Sequence, residues 1–153
     1  MNEVPPATHR EQIGLQVPFL TSGQVFAPPV RRTITDFDNI AAALLAMNTH
    51  PLHSDYAFAA QSRFKKPLIV SPFLLSCLVA AVMNELRDMQ LAAFEIQELT
   101  FTAPVHPGDT ISTEAVVESS DAVQTVLRVR GMKAKGGSFA QFRMVLRTQA
   151  PSA

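Results

Sequence analysis

The sequence predicts an α+β domain in which an antiparallel sheet curls around one apolar helix. Three observations carry this. Phe73 to Leu86 is apolar on nearly every face, and a helix of that kind must be buried all round. From Phe94 onward the apolar residues recur in twos, the period of strands with one buried face. Turn signals at Pro107-Gly108-Asp109 and Gly136-Gly137 then cut that half into successive strands. Few small folds cover a helix on every side, and a sheet wrapped around it is one.

In chain order, residues 1–12 read as a loose lead-in and 149–153 as a tail, leaving a single domain within residues 1–153. Val17 to Arg32 is interrupted by Pro18, Gly23, Pro28 and Pro29. Short edge strands fit near Gln24 to Phe26 and Val30 to Ile34, because proline is tolerated at sheet edges. Thr35 and Asp38 have the spacing of a capping box, and Phe37, Ile40, Ala41, Leu44 and Leu45 follow on one helical face. Pro51 ends that segment by forcing His50 out of helical geometry. Ser54-Asp55 offers a cap for a short helix, Tyr56 to Arg63, and Asp55 is read as that cap rather than as an acid. Ser71-Pro72 reads as a hydroxyl cap followed by proline in the first helical position. Phe94 and Ile96 share a face, whereas Leu99 and Phe101 are out of phase with them, so a bulge is expected near Gln97-Glu98. Ile111, Thr113, Ala115 and Val117 alternate with polar residues, as do Val123, Thr125, Leu127 and Val129. Ala140, Phe142, Met144 and Leu146 return after the glycine pair.

Composition excludes several classes. Apolar residues make up 47% and charged ones 17%, the balance of a compact folded domain. Formal net charge is zero, against the basic surface that a general nucleic-acid binder needs. A lone Cys77, set in the apolar helix, allows no intramolecular disulfide and reads as a small buried hydrophobe. The N-terminal residues lack the basic and apolar regions of a signal peptide, and no apolar run is long enough to span a membrane, so a cytoplasmic protein is expected. No phosphate-cradling glycine loop, Gly-x-Ser-x-Gly elbow or His-Glu-x-x-His is present, so neither metal nor nucleotide cofactor is expected.

The stretch Met47-Asn48-Thr49-His50-Pro51-Leu52-His53-Ser54-Asp55 sets two imidazoles, an amide and a carboxylate between two apolar segments. His53 is the leading candidate for chemistry, since imidazole takes and returns a proton near neutral pH. Asn48 offers hydrogen bonds but has no titratable proton. His50, just before proline, is read as pointing outward. His106, in a Pro-Val-His-Pro turn, is read as structural, and His9 has no partner visible in the sequence. Ser71 opens the apolar helix, where unpaired N–H groups and the helix dipole favour developing negative charge. Arg63, Lys65 and Lys66 form a small basic loop before it, suited to phosphates or simply solvated.

Asn48-x-x-Pro51-Leu52-His53-x-Asp55 resembles the motif Gly-Asp-x-Asn-Pro-Ile/Leu-His-x-Asp of MaoC-like (R)-specific enoyl-CoA hydratases. Ala59, Pro67-Leu68-Ile69, Ser71 and Ala103-Pro104-Val105-His106-Pro107-Gly108-Asp109 follow in that family's order, so the resemblance covers about Thr33 to Leu146. It departs at two places: the family's aspartate falls on Asn48 and its asparagine on His50. The mesaconyl-CoA hydratase branch also reads Met-Asn-x-x-Pro-Leu-His and is the nearest look-alike. The resemblance implies a hotdog fold, a homodimer, an acyl-CoA substrate carrying coenzyme A, and His53 and Asn48 as catalytic residues. It also implies a backbone N–H at Ser71 on the thioester carbonyl and Arg63, Lys65 and Lys66 near coenzyme A. Arg31 or Arg32 would face any distal carboxylate. Two other readings stand beside it: a hotdog thioesterase, which needs a carboxylate at the site, and a non-catalytic acyl-thioester binder, which the Asp-to-Asn departure favours.

Overall fold

The computed structural model describes residues 20–148 except Asp88 and Gln90. His9 and both predicted tails lie outside these residues. Two short strands come first, β1 (Val25–Phe26) and β2 (Arg32–Thr33). Helix α1 (Asp36–Leu45) follows, then a single 3-10 turn at Pro51–His53, helix α2 (Tyr56–Gln61) and helix α3 (Ser71–Glu85). Four long strands complete the chain: β3 (Leu91–Phe101), β4 (Thr110–Ser120), β5 (Gln124–Lys133) and β6 (Gly137–Thr148). The sheet is antiparallel in the order β1-β4-β5-β6-β3, with β2 also on β4. This is the hotdog architecture that the resemblance implies.

The period-two pattern decides which face of the sheet meets α3. Ile111, Thr113, Ala115 and Val117 of β4 are buried, as are Leu127 and Val129 of β5 and Ala140, Phe142, Met144 and Leu146 of β6. The phase change in β3 is met by a register shift between Gln97 and Thr100, where Glu98 takes φ +55°. Leu74, Leu78 and Val82 of α3 pack on this face. Gly131 is the seat of that contact. A Cβ there would stand 2.6 Å from Phe139 Cζ and 2.8 Å from Leu78 Cδ1, so only glycine leaves room for both side chains.

Two expectations are corrected, for α3 and α2, and α1 buries an unusual face. Helix α3 is not covered all round within one chain: Ser76, Ala80 and Asn84, one turn apart, are exposed. Its large apolar residues find cover, and what is left outside is small or polar. Helix α1 packs the other way from an ordinary amphipathic helix. It buries Asn39 and Ala43, while Phe37 is 80% exposed, Leu44 74% and Leu45 88%. Helix α2 ends at Gln61, short of Arg63. No helix of the described residues is long and apolar enough to cross a membrane.

Candidate active site

The site begins at the end of α1. Thr35 accepts from the Asp38 N–H while the Asp38 carboxylate accepts from the Thr35 N–H, the capping box read from sequence. That backbone bond, the largest influence, and those from the Thr35 hydroxyl and Arg32 hold the Asp38 carboxyl below its ordinary value despite burial. At the other end, Asn48 N–H reaches Ala43 O (2.8 Å) and Met47 N–H reaches Leu44 O (3.1 Å). This is the Schellman closure, whose left-handed position glycine usually fills. Here Met47 fills it, at φ +51° and 87% exposed. The turn delivers Asn48 at the edge of the domain, half-buried, with Oδ1 accepting from His50 N–H (3.2 Å). Among the described residues its Nδ2 has no hydrogen-bond partner.

Pro51 starts the 3-10 turn, and His50 caps it: Leu52 N–H donates to His50 Nδ1 (3.1 Å). The exposed His50 ring packs edge-on to Phe58 (5.9 Å) and to His53 (6.2 Å). Asp55 Oδ1 accepts from Phe58 N–H (3.0 Å) and caps α2, as expected. His106 also has a partner, the Pro67 carbonyl at 2.8 Å.

His53 is half-buried, and its Nδ1 lies 2.9 Å from Leu68 O. A carbonyl oxygen only accepts, so Nδ1 carries the proton and, in the neutral ring, Nε2 presents a lone pair. Leu68 in turn donates its N–H to Leu52 O (3.1 Å).

Asn39, which the sequence reading passed over, is 1% exposed. Its Nδ2 donates to His53 O (2.7 Å) and Leu68 O (3.0 Å), and its Oδ1 accepts from Val70 N–H (2.9 Å). The available signal was an asparagine, a poor helix former, on the helix face opposite the large apolar residues.

Helix α3 starts one residue earlier than its sequence implies. Val70 is the N-cap, Ser71 is the first helical residue, and its exposed hydroxyl makes no cap bond. Val70 takes that role because its C=O accepts the first helical bond, while its own N–H goes to Asn39 Oδ1. Phe73 and Leu74 both donate to Val70 O (3.1 and 3.2 Å), and Pro72 has no N–H. The first turn therefore keeps the Ser71 N–H as its donor without a helix partner.

A cavity of about 220 Å³ opens at this helix start, lined by Arg63, Phe64, Leu68, Ser71, Phe101 and Pro104 among others. His53 does not line it; Leu68 joins the two, bordering the cavity and holding the ring. Of the basic loop, Arg63 lines the cavity, while Lys65 and Lys66 are exposed outside it. A second cavity of about 280 Å³ runs along the small face of α3, past Arg32, Ser76, Cys77 and Asn84. Arg32 is engaged there by Asp38 and sits over the Phe73 ring at 5.7 Å. Burial pushes the half-buried Cys77 thiol up, so it stays protonated near neutral pH.

The family model for the MaoC like domain matches residues 19–136, which hold every element of this site. The chain belongs to the MaoC-like domain family. Among its relatives is the (R)-specific enoyl-CoA hydratase of Aeromonas caviae, 35% identical over 77 residues, 50% of this chain and 57% of that protein. Another is the peroxisomal multifunctional enzyme type 2 of Mus musculus, 30% identical over 89 residues, 57% of this chain and 12% of that protein. The match thus spans little more than half of one relative and a small part of the other. The solved (R)-hydratase from A. caviae superposes with a TM-score of 0.72 at 23% identity, covering 85% of this chain and 98% of that one. A MaoC-like dehydratase from Rhodospirillum rubrum gives 0.70 at 17% identity, over 87% and 96% of the two chains. These two likenesses speak for the MaoC-like fold alone.

Proposed function

We propose that this chain is an (R)-specific enoyl-CoA hydratase/dehydratase, adding water reversibly across the 2,3 double bond of a 2-enoyl thioester. The observation that carries this reading is the fixed ring of His53: with its Nδ1 proton given to Leu68 O, Nε2 is a base. Nε2 removes a proton from water as the hydroxyl bonds to C3, and the electrons of the double bond move to the thioester oxygen. The Ser71 N–H stabilises that oxygen as its charge develops. The imidazolium then returns a proton to C2. Asn48 cannot share the proton transfers, so its Nδ2 orients the water. One ring performs both transfers, and hydroxyl and proton therefore add to the same face.

The remaining assignments belong to the same proposal. Arg63, with Lys65 and Lys66 beside it, is offered to the phosphates of coenzyme A at the cavity mouth. The motif's likeness to the mesaconyl-CoA branch favours a short branched or dicarboxylic acyl group. Asp55 is committed to capping α2, which removes the carboxylate that a thioesterase would use. A homodimer is supported by β3, which among the described residues pairs with β6 alone and exposes Phe94 and Leu99. An open apolar edge strand invites pairing with its copy across a two-fold axis. We place the enzyme in the cytoplasm.

The test is incubation with crotonyl-CoA and mesaconyl-CoA while enoyl absorbance and free thiol are followed together. Loss of enoyl absorbance without thiol release is expected. Thiol release would instead identify a thioesterase, and binding without either change a carrier. His53→Ala should lower kcat by about 10²–10⁴-fold while the chain stays folded, its stability reduced by only about 0.5–1.5 kcal/mol for the lost bond to Leu68 O. Full turnover in that variant would remove His53 from the mechanism.

A further inference from the structure

A carboxamide has two N–H donors and an acceptor oxygen, and Asn39 spends all three kinds of bond on the main chain around the site. Each partner has a separate consequence. The bond to His53 O fixes the backbone from which the imidazole projects. The bond to Leu68 O fixes the carbonyl that takes the ring's Nδ1 proton; that oxygen accepts from Asn39 at 3.0 Å and from His53 at 2.9 Å. The bond from Val70 N–H fixes the residue before Ser71, where α3 begins. The loop does not need Asn39 merely to stay in place. Leu68 N–H already binds Leu52 O (3.1 Å), and Ile69 N–H binds Val105 O (2.9 Å). What Asn39 adds is orientation of the ring's own acceptor and a fixed offset between that ring and the helix start.

We propose that Asn39 is a positioning residue for the hydration: its buried carboxamide sets the His53 tautomer and the distance from its Nε2 to the Ser71 N–H. This rests on the reading of His53 as proton carrier. A misplacement of about 1 Å between reacting groups costs roughly 10²-fold in rate, and Asn39 touches neither reactant directly. The loss therefore falls on kcat rather than on KM.

The experiment uses the full chain with ¹⁵N-labelled histidine. In the wild type the neutral His53 ring should carry its proton on Nδ1. His50, whose Nδ1 accepts from Leu52 N–H, should show the opposite tautomer and serves as an internal reference. His53→Ala assigns the signal. Asn39→Leu keeps the branching at Cγ, though it is larger, and removes all three bonds; Asn39→Asp matches the size, keeps the acceptor for Val70 and loses both N–H donors. In Asn39→Leu the His53 ring should become a mixture of tautomers and kcat on crotonyl-CoA should fall about 10²-fold, with KM within a few-fold. Asn39→Asp, without the donors that face His53 O and Leu68 O, should show the same mixture of tautomers and a comparable fall in kcat while keeping the Val70 bond.

A folded variant whose ring signals and kcat match the wild type overturns the proposal. So does a fall in kcat that only follows the folded fraction. Should the larger Asn39→Leu not fold, the isosteric Asn39→Asp decides: a His53 tautomer and kcat like the wild type's overturn the proposal, and a mixture of tautomers with reduced kcat supports it. The two readings fail separately. Full turnover in His53→Ala removes the reaction scheme and leaves the tautomer result standing, whereas an unmoved tautomer in Asn39→Leu removes only this inference.

Discussion

Gly131→Ala tests how α3 is seated. Cβ atoms begin ordinary contact at 3.4 Å, so a methyl at 2.6 Å from Phe139 Cζ and 2.8 Å from Leu78 Cδ1 asks those atoms to retreat by about 0.6–0.8 Å. Neither can do so freely, since Phe139 and Leu78 are both 0% exposed. Overpacking of this kind costs about 1–3 kcal/mol. Alanine recovers about 0.4–1 kcal/mol by restricting the unfolded chain. The net loss is therefore about 1–2 kcal/mol, which for a chain of this size lowers Tm by roughly 2–8 °C. Calorimetry or urea unfolding measures it directly. The decisive control is Gly131→Ala in a Phe139→Leu background, where the ring tip that meets the new methyl is gone. The alanine should then cost less, with a coupling of at least about 0.5 kcal/mol. An unchanged Tm in the single variant, or strictly additive losses in the pair, would refute the contact. Because α3 is a continuous helix, the same displacement should also shift Ser71 and reduce kcat.

Met47 at φ +51° carries a left-handed penalty of about 1–2 kcal/mol, which glycine avoids at an entropic cost of about 0.5–1 kcal/mol. Met47→Gly should therefore raise Tm slightly and Met47→Val, with its branched Cβ, should lower it; thermal scans at matched protein concentration check the order. Burial raises the Glu118 carboxyl, but its bonds to Arg143 and Arg128 outweigh this and leave it below its ordinary value of 4.5. A depressed carboxyl stabilises above its unfolded value, and that contribution is lost as the pH falls through the folded one. Glu118→Gln should accordingly be less stable than the wild type at pH 7, with the difference shrinking as the pH falls below 4.5 and through the lowered folded value.

Much of this was legible because it is local. The capping box of Thr35 and Asp38, the cap at Asp55 and the turns at Gly108 and Gly136 are set by neighbours a few residues apart, and so is the slipped phase in β3. The role of Ser71 was misread by one residue. Ser-Pro reads locally as cap and first position, but Val70 O accepts the first helical bond, and Val70 N–H is held by a side chain 31 positions earlier in the chain. Asn39 itself gave only a faint signal, since its partners His53 and Leu68 lie 14 and 29 positions away.

The orientation of α1 shows a sharper limit. Phe37, Ile40 and Leu44 have the spacing of a core-facing stripe, and periodicity states only that they share a face. What turns that face outward is the opposite side of the helix. Asn39 and Ala43 form a narrow ridge, small enough for α1 to approach the His53 loop and polar enough to bind it. A helix carrying leucine at those two positions would bury more apolar area, yet it could not offer a donor to His53 O or Leu68 O. The orientation is thus set by hydrogen bonds at the site, at the expense of apolar residues left in water. Phe37, Leu44, Leu45 and Met47, all more than 70% exposed, are consequently the most exposed large apolar side chains among the described residues.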